Sequence, residues 1–221
     1  MKLFISALVK FIVGLLLVGA LLFLPAGGFG YPNAWLFIGL LFIPMLFLGA
    51  VLLIKAPALL KKRLDAKEDE NTQKGVVAVS GLLFIAGFIV AGLDFRFGWS
   101  SVPTPIVIAA SIVLLIAYAL YVEVMRENAY LSRTIKVQEH QTVVDTGLYG
   151  IVRHPMYAAT VCLFLAIPLV LGSFWSLLCF LPYIPVIAVR ILGEEKILTQ
   201  DLDGYAAYTK KVKYRLIPFI W

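Results

Sequence analysis

Two short segments carry most of the side chains in this chain that could do chemistry beside apolar sequence. One is Gly147-Leu-Tyr-Gly-Ile-Val-Arg-His-Pro-Met-Tyr157, and the other is Arg190-Ile-Leu-Gly-Glu-Glu195. Between them they supply one histidine, two arginines, two tyrosines and two carboxylates. Ionisable groups at the edge of a membrane are costly, so a cluster of them needs partners or a task. Adjacent carboxylates seek a hydroxyl, an amine or a cation, and arginine offers a planar fork to an anion. Such a set suits the binding and orientation of a polar ligand.

Each fragment also has a plainer explanation. Arg153-His-Pro-Met-Tyr157 reads as a helix start at a membrane interface, with Pro155 at N1, where its missing N–H costs nothing. Arg190 and Glu194 lie four apart, share a helix face and can pair. Glu194 and Glu195, however, fall near the C-terminal end of a helix, where the helix dipole disfavours anions. Glu127-Asn128 and Ser132-Arg133 read as a solvated juxtamembrane helix, and whether Glu127, Asn128 and Arg133 meet a substrate stays open. Gln141-Thr-Val-Val144 is a β-prone patch whose backbone suits a flat ligand, and Asp145-Thr-Gly147 reads as a turn.

The elements that must position these residues are apolar. The chain is 62% hydrophobic and 14% charged, against about 45–50% and about 25% for soluble domains. It is an all-α, polytopic membrane bundle with little room for a soluble domain. A spanning helix needs about 20 apolar residues. Candidate spans cover residues 3–24, 34–54, 75–93, 106–124, 155–171 and 175–192, six in all, with five as the alternative count. Pro44 is expected to kink the second span. Residues 55–74 read as a polar loop, basic at Lys61-Lys-Arg63 and acidic at Glu68-Asp-Glu70, and residues 94–105 as another loop. In the tail, Leu198, Leu202, Tyr205 and Tyr208 recur at amphipathic-helix spacing. The whole is one membrane domain, with four spans in 1–124 and the chemistry-bearing core in 125–221.

Charge sets the expected topology. With six spans, both termini, the 55–74 loop and the 125–153 segment share a side. Of the 19 Lys and Arg, only Arg96 falls on the other side. That bias places the termini and the site in the cytoplasm. The net charge of +6 accompanies the spans, where it meets anionic lipid, and does not point to nucleic acid. Cys162 and Cys179 lie in apolar runs as small buried hydrophobes, and the scattered His and Cys give no metal-ligand spacing. The N-terminal apolar run lacks a convincing cleavage site and reads as a retained helix. Without a targeting or retention motif, a prokaryotic inner membrane is the expected location.

The order Val143-Val-Asp-Thr-Gly-Leu-Tyr-Gly-Ile-Val-Arg-His-Pro-Met-Tyr157, an apolar hairpin, Arg190-x-x-x-Glu194-Glu195, then Leu198, Gly204-Tyr205, Tyr208 and Ile217-Pro218 resembles the isoprenylcysteine carboxyl methyltransferase and phospholipid methyltransferase superfamily. Glu127-Asn-Ala-Tyr-Leu-Ser-Arg133 is similar to its prokaryotic members. Departures fall in the tail, at Asp203-Gly204 and Val212-Lys-Tyr-Arg215. The resemblance implies a methyltransferase that binds S-adenosylmethionine (SAM) and a lipophilic or lipid-linked acceptor. It carries the cofactor contacts onto Gln141, Thr142, Val143, Val144, Tyr149, His154, Pro155, Met156, Tyr157 and Glu194. It sets Arg190 toward the substrate. A substrate carboxylate is ionised at pH 7 and needs a cation, Arg190 or Arg153, in place of a base. This favours a carboxylate acceptor over a phospholipid amine or a small thiol. Two other classes compete: a membrane reductase of the steroid-reductase type, and a non-catalytic scaffold or transporter. The lack of intramembrane charge and of internal repeats argues against transport.

Overall fold

A computed structural model describes residues 2–64, 71–131 and 137–221. The acidic run Glu68-Asp-Glu70 and the pair Ser132-Arg133 lie outside the described residues. The helices are α1 (Lys2–Ala26), α2 (Pro32–Lys55), α3 (Pro57–Leu64), α4 (Asn71–Phe97), α5 (Thr104–Glu127), α6 (Pro155–Val170), α7 (Phe174–Phe180), α8 (Tyr183–Asp201) and α9 (Tyr205–Lys211). With one 3₁₀ turn, Gly147–Gly150, they are the only regular elements among the described residues. The all-α membrane bundle expected from composition is the architecture observed.

Helix boundaries follow breakers. Gly27 and Gly28 end α1, and proline opens α2, α5 and α6 at positions where its missing N–H is harmless. Three elements differ from the sequence reading. The basic part of the 55–74 loop is helical: α3 buries Leu59 and Leu60, while Lys61 is exposed and Lys62 donates to the Gln138 side chain. The run from Asp94 stays helical to Phe97, because Asp94 is buried and partnered. The last apolar segment is two helices, since the chain breaks at Leu181-Pro182 between α7 and α8. Pro44 sits inside an uninterrupted α2.

Five segments are long and apolar enough to cross a membrane, with α7 and α8 counted together as Phe174–Asp201. Helix α6 has 16 residues and is about 24 Å long, short of the roughly 30 Å hydrocarbon core. Only 11% of each of the first two spans is buried in the protein. Side chains such as Leu16, Phe47, Leu82 and Ile116 face outward, as lipid contact requires.

The two ends of the bundle are packed differently. The main core lies toward one end, where Leu22, Phe37, Phe88, Leu114, Val170 and Phe180 meet from α1, α2, α4, α5, α6 and α7. Smaller clusters hold the other end, where α3, α5, α6, α8 and the tail converge. Helices α6 and α8 run antiparallel, so His154, just before α6, meets Glu195, near the end of α8. That hairpin brings the two chemistry-bearing segments together whatever depth α6 reaches.

Candidate ligand pocket

The pocket starts from a turn. After α5, the chain returns through Gly147, which has φ +51°. The backbone angle favours glycine, and a Cβ there would lie 1.4 Å from a Glu127 carboxylate oxygen, so a larger residue would displace Glu127 from the turn. Glu127 accepts from the Leu148 N–H at 3.0 Å. Asn128 donates its side-chain N–H to the Tyr149 hydroxyl at 3.0 Å. These two residues, left open by the sequence, therefore fix the turn that presents Tyr149; Asn128 also reaches the pocket wall.

The tail is stitched onto the start of α6. The Arg153 and His154 amides donate to the carbonyls of Tyr214 and Arg215, both at 2.9 Å. Tyr208 donates its hydroxyl to the Tyr149 carbonyl at 2.7 Å. Burial pushes the Tyr149 and Tyr208 hydroxyls well above the ordinary tyrosine range, so both remain protonated.

Glu195 is the hub of this joint. One of its oxygens takes Arg153 Nε at 2.7 Å and His154 Nε2 at 3.2 Å, and the other takes Arg215 Nε at 2.8 Å. The carboxylate is buried, so its charge is stable only with such partners. Arg153 also donates through NH1 to the carbonyls of Thr209, Val212 and Lys213. Arg153, expected as an alternative cation for an acceptor, lines the pocket, and its bonds also brace the tail against α6 and α8.

Glu194, one residue earlier, points elsewhere. It accepts from the Tyr157 hydroxyl at 2.5 Å. That hydroxyl in turn accepts from Arg190 Nε at 3.0 Å, and Arg190 NH1 donates to Gln73 Oε1 at 3.3 Å. Gln73 is buried at the start of α4, and its amide nitrogen would lie 2.3 Å from a Cβ at position 193. Gly193 thus lets α4 approach α8 closely enough for Gln73 to orient Arg190. The result is an anion and a cation on one wall, tied through a single tyrosine.

These groups open on one cavity. Gln141, Thr142, Val143, Val144, Tyr149, Arg153, His154, Met156, Tyr157, Arg190 and Glu194 all line it. Of the expected contacts, Pro155 does not line it; it is buried as the first residue of α6 and sets the helix start behind the wall. The stretch 141–144 forms no strand and supplies one side as irregular chain. Leu198, Leu202, Tyr205 and Tyr208 also line it, packed in one cluster with Val143. In the sequence their spacing marks one amphipathic helix; in the fold the chain breaks after Asp201, so Leu198 belongs to α8, Leu202 caps it, and Tyr205 and Tyr208 belong to α9. Gln73 was missed, and nothing near it in the sequence signals a role. The Tyr205 hydroxyl is buried without a hydrogen-bond partner among the described residues. A nucleoside cofactor fits this donor set: a carboxylate for a diol, aromatic walls for a flat base, cations for an acidic end, and an unsatisfied hydroxyl.

Fold and pocket together define an integral membrane protein of helices with a polar ligand site at one end of the bundle. Residues 105–203 match the family model described as phospholipid methyltransferase. Over that segment, a little under half of the chain, the sequence is similar to the methyltransferase superfamily that its motifs resemble. The match takes in α5, the turn, α6 and α8, and stops short of Tyr205; Gln73 also lies outside it. No curated protein matches the chain significantly.

Proposed function

We propose that the protein is a SAM-dependent methyltransferase that methylates a lipophilic acceptor, with an isoprenylcysteine-type carboxylate the favoured acceptor. A single observation carries the reading: Glu194, Tyr157 and Arg190 form one hydrogen-bonded array on the wall of a cavity lined by the family segment. Glu194 accepts from a ribose diol. Arg190 faces the acceptor and neutralises its carboxylate. Bound SAM supplies a methyl group on a sulfonium that is already activated for displacement. The protein's share is then alignment, which can be worth about 7–11 kcal/mol when two reactants are held in register. A carboxylate acceptor arrives ionised, so no side chain has to remove a proton. A phospholipid amine or a thiol would need one removed, and no unassigned carboxylate or histidine lines the cavity among the described residues.

The site end of the bundle faces the cytoplasm in this reading, supported by the one-sided distribution of Lys and Arg. The lipophilic part of the acceptor is presented by the surrounding membrane.

Titration calorimetry of purified protein with SAM and with NADPH tests the proposal. Saturable binding of SAM alone is expected. Binding of NADPH instead would favour the reductase, and binding of neither would favour a scaffold. Activity with a panel of prenylcysteine, phosphatidylethanolamine and an alkyl thiol then ranks the acceptors, with prenylcysteine expected to turn over fastest.

A further inference from the structure

We propose that the Tyr205 hydroxyl is a cofactor contact, donating a hydrogen bond to an acceptor atom of the nucleoside cofactor in the cavity; the proposal rests on the methyltransferase reading above. Five tyrosines line the cavity: Tyr130, Tyr149, Tyr157, Tyr205 and Tyr208. Four have their hydroxyls bonded within the chain. Tyr130 donates to the His140 carbonyl at 3.0 Å, and Tyr149 accepts from Asn128 at 3.0 Å. Tyr157 donates to Glu194 at 2.5 Å, and Tyr208 donates to the Tyr149 carbonyl at 2.7 Å. Tyr205 has no such partner among the described residues.

The side chain is not loosely placed. Tyr205 is 4% exposed and opens α9 directly after Gly204, which holds φ +84°. Its ring packs at 5.6 Å from that of Tyr208, in a cluster with Leu202, Val212 and Val143. A buried hydroxyl without a partner is unfavourable and rare in folded proteins. Burial, and next the charges of Glu195 and Glu194, push its ionisation far above the ordinary range, so it stays a neutral donor. Neither carboxylate is hydrogen-bonded to it: Glu195 meets Arg153, His154 and Arg215, and Glu194 meets Tyr157. The acceptor that Tyr205 requires is therefore supplied by what fills the cavity. Its position just past the matched segment, which ends at 203, makes the tail a contributor to the cofactor site as well as a cover for it.

The experiment compares wild type and Tyr205→Phe by calorimetry with S-adenosylhomocysteine and by thermal unfolding with and without it. Phenylalanine keeps the ring packing and removes only the hydroxyl. The expected result is affinity weaker by about three- to tenfold, the worth of one ordinary hydrogen bond. The ligand-free melting temperature should be unchanged or higher, because an unsatisfied buried group has gone. The rise in melting temperature on adding ligand should shrink. Unchanged affinity would overturn the proposal, since the hydroxyl then makes no bond to the ligand, and so would a lowered ligand-free melting temperature, since the hydroxyl is then satisfied without the cofactor. If wild type itself fails to bind S-adenosylhomocysteine, the methyltransferase reading fails, whatever the phenylalanine variant does.

Discussion

Each end of the bundle buries a carboxylate, and the two are treated in opposite ways. At the end away from the pocket, Asp94 accepts from the Ser100 amide at 2.6 Å, from the Ser100 hydroxyl at 2.5 Å and from the Ser173 hydroxyl. Ser173 also caps α7 by accepting from the Ser176 N–H at 3.0 Å. Neutral donors from two loops thus absorb the charge and close that end. At the pocket end, Glu195 is met by Arg153, His154 and Arg215, drawn from the α6 start and the tail. Its neighbour Glu194 faces the cavity beside Arg190. Burial alone therefore does not mark a functional carboxylate. What separates Asp94 and Glu195 from Glu194 is whether the surrounding donors enclose the carboxylate or place it on a cavity wall.

The largest effect that would break this comparison is expected at Glu195. Glu195→Gln removes the anion that meets Arg153, His154 and Arg215. Breaking a buried ion pair by removing one partner costs about 3–5 kcal/mol. Thermal unfolding in detergent should show a large loss of stability, and the tail should become sensitive to protease. A stable variant with a protected tail would mean that Glu195 is not the brace described here.

A smaller loss is expected at the closed end. Asp94→Asn gives up charge-assisted hydrogen bonds worth roughly 1.5–3 kcal/mol each. Its melting temperature should fall, while affinity for SAM stays that of wild type. A change in affinity would couple the two ends and undo their separation.

The smallest effect concerns Arg190. Arg190→Lys keeps the charge but loses the planar fork. Gln73→Leu removes the group that orients the guanidinium. Both should retain SAM binding, and both should raise the acceptor KM or lower kcat, by about tenfold if about 1.4 kcal/mol of alignment is lost. Loss of SAM binding with the fold intact would move Arg190 from the acceptor to the cofactor.

What the sequence revealed, and what it hid, follows the range of the interactions. The apolar runs of α1, α2 and α5 were legible because Gly27, Pro32 and Pro103 punctuate them locally. Helix α3 was not, since Lys61-Lys-Arg63 resembles a loop until Leu59 and Leu60 are seen buried beneath it. The break at Pro182 was hidden inside a continuous apolar stretch. Most expected pocket residues do line one cavity, because their order along the chain carried the family resemblance. The difference between Arg153 and Arg190 was invisible: both are single arginines beside apolar sequence, and only the approach of the tail commits the first. Gln73 depends on the contact of α4 with Gly193, which no local pattern encodes.

The central claim is that the cavity is a cofactor site with Glu194 as its anionic contact. Calorimetric titration of SAM into wild type and Glu194→Gln tests it most directly. Loss of one charge-assisted hydrogen bond is worth roughly 1.5–3 kcal/mol, so the account predicts affinity lower by about 10–150-fold with the melting temperature of the ligand-free protein little changed. Equal affinity for the two proteins would contradict it.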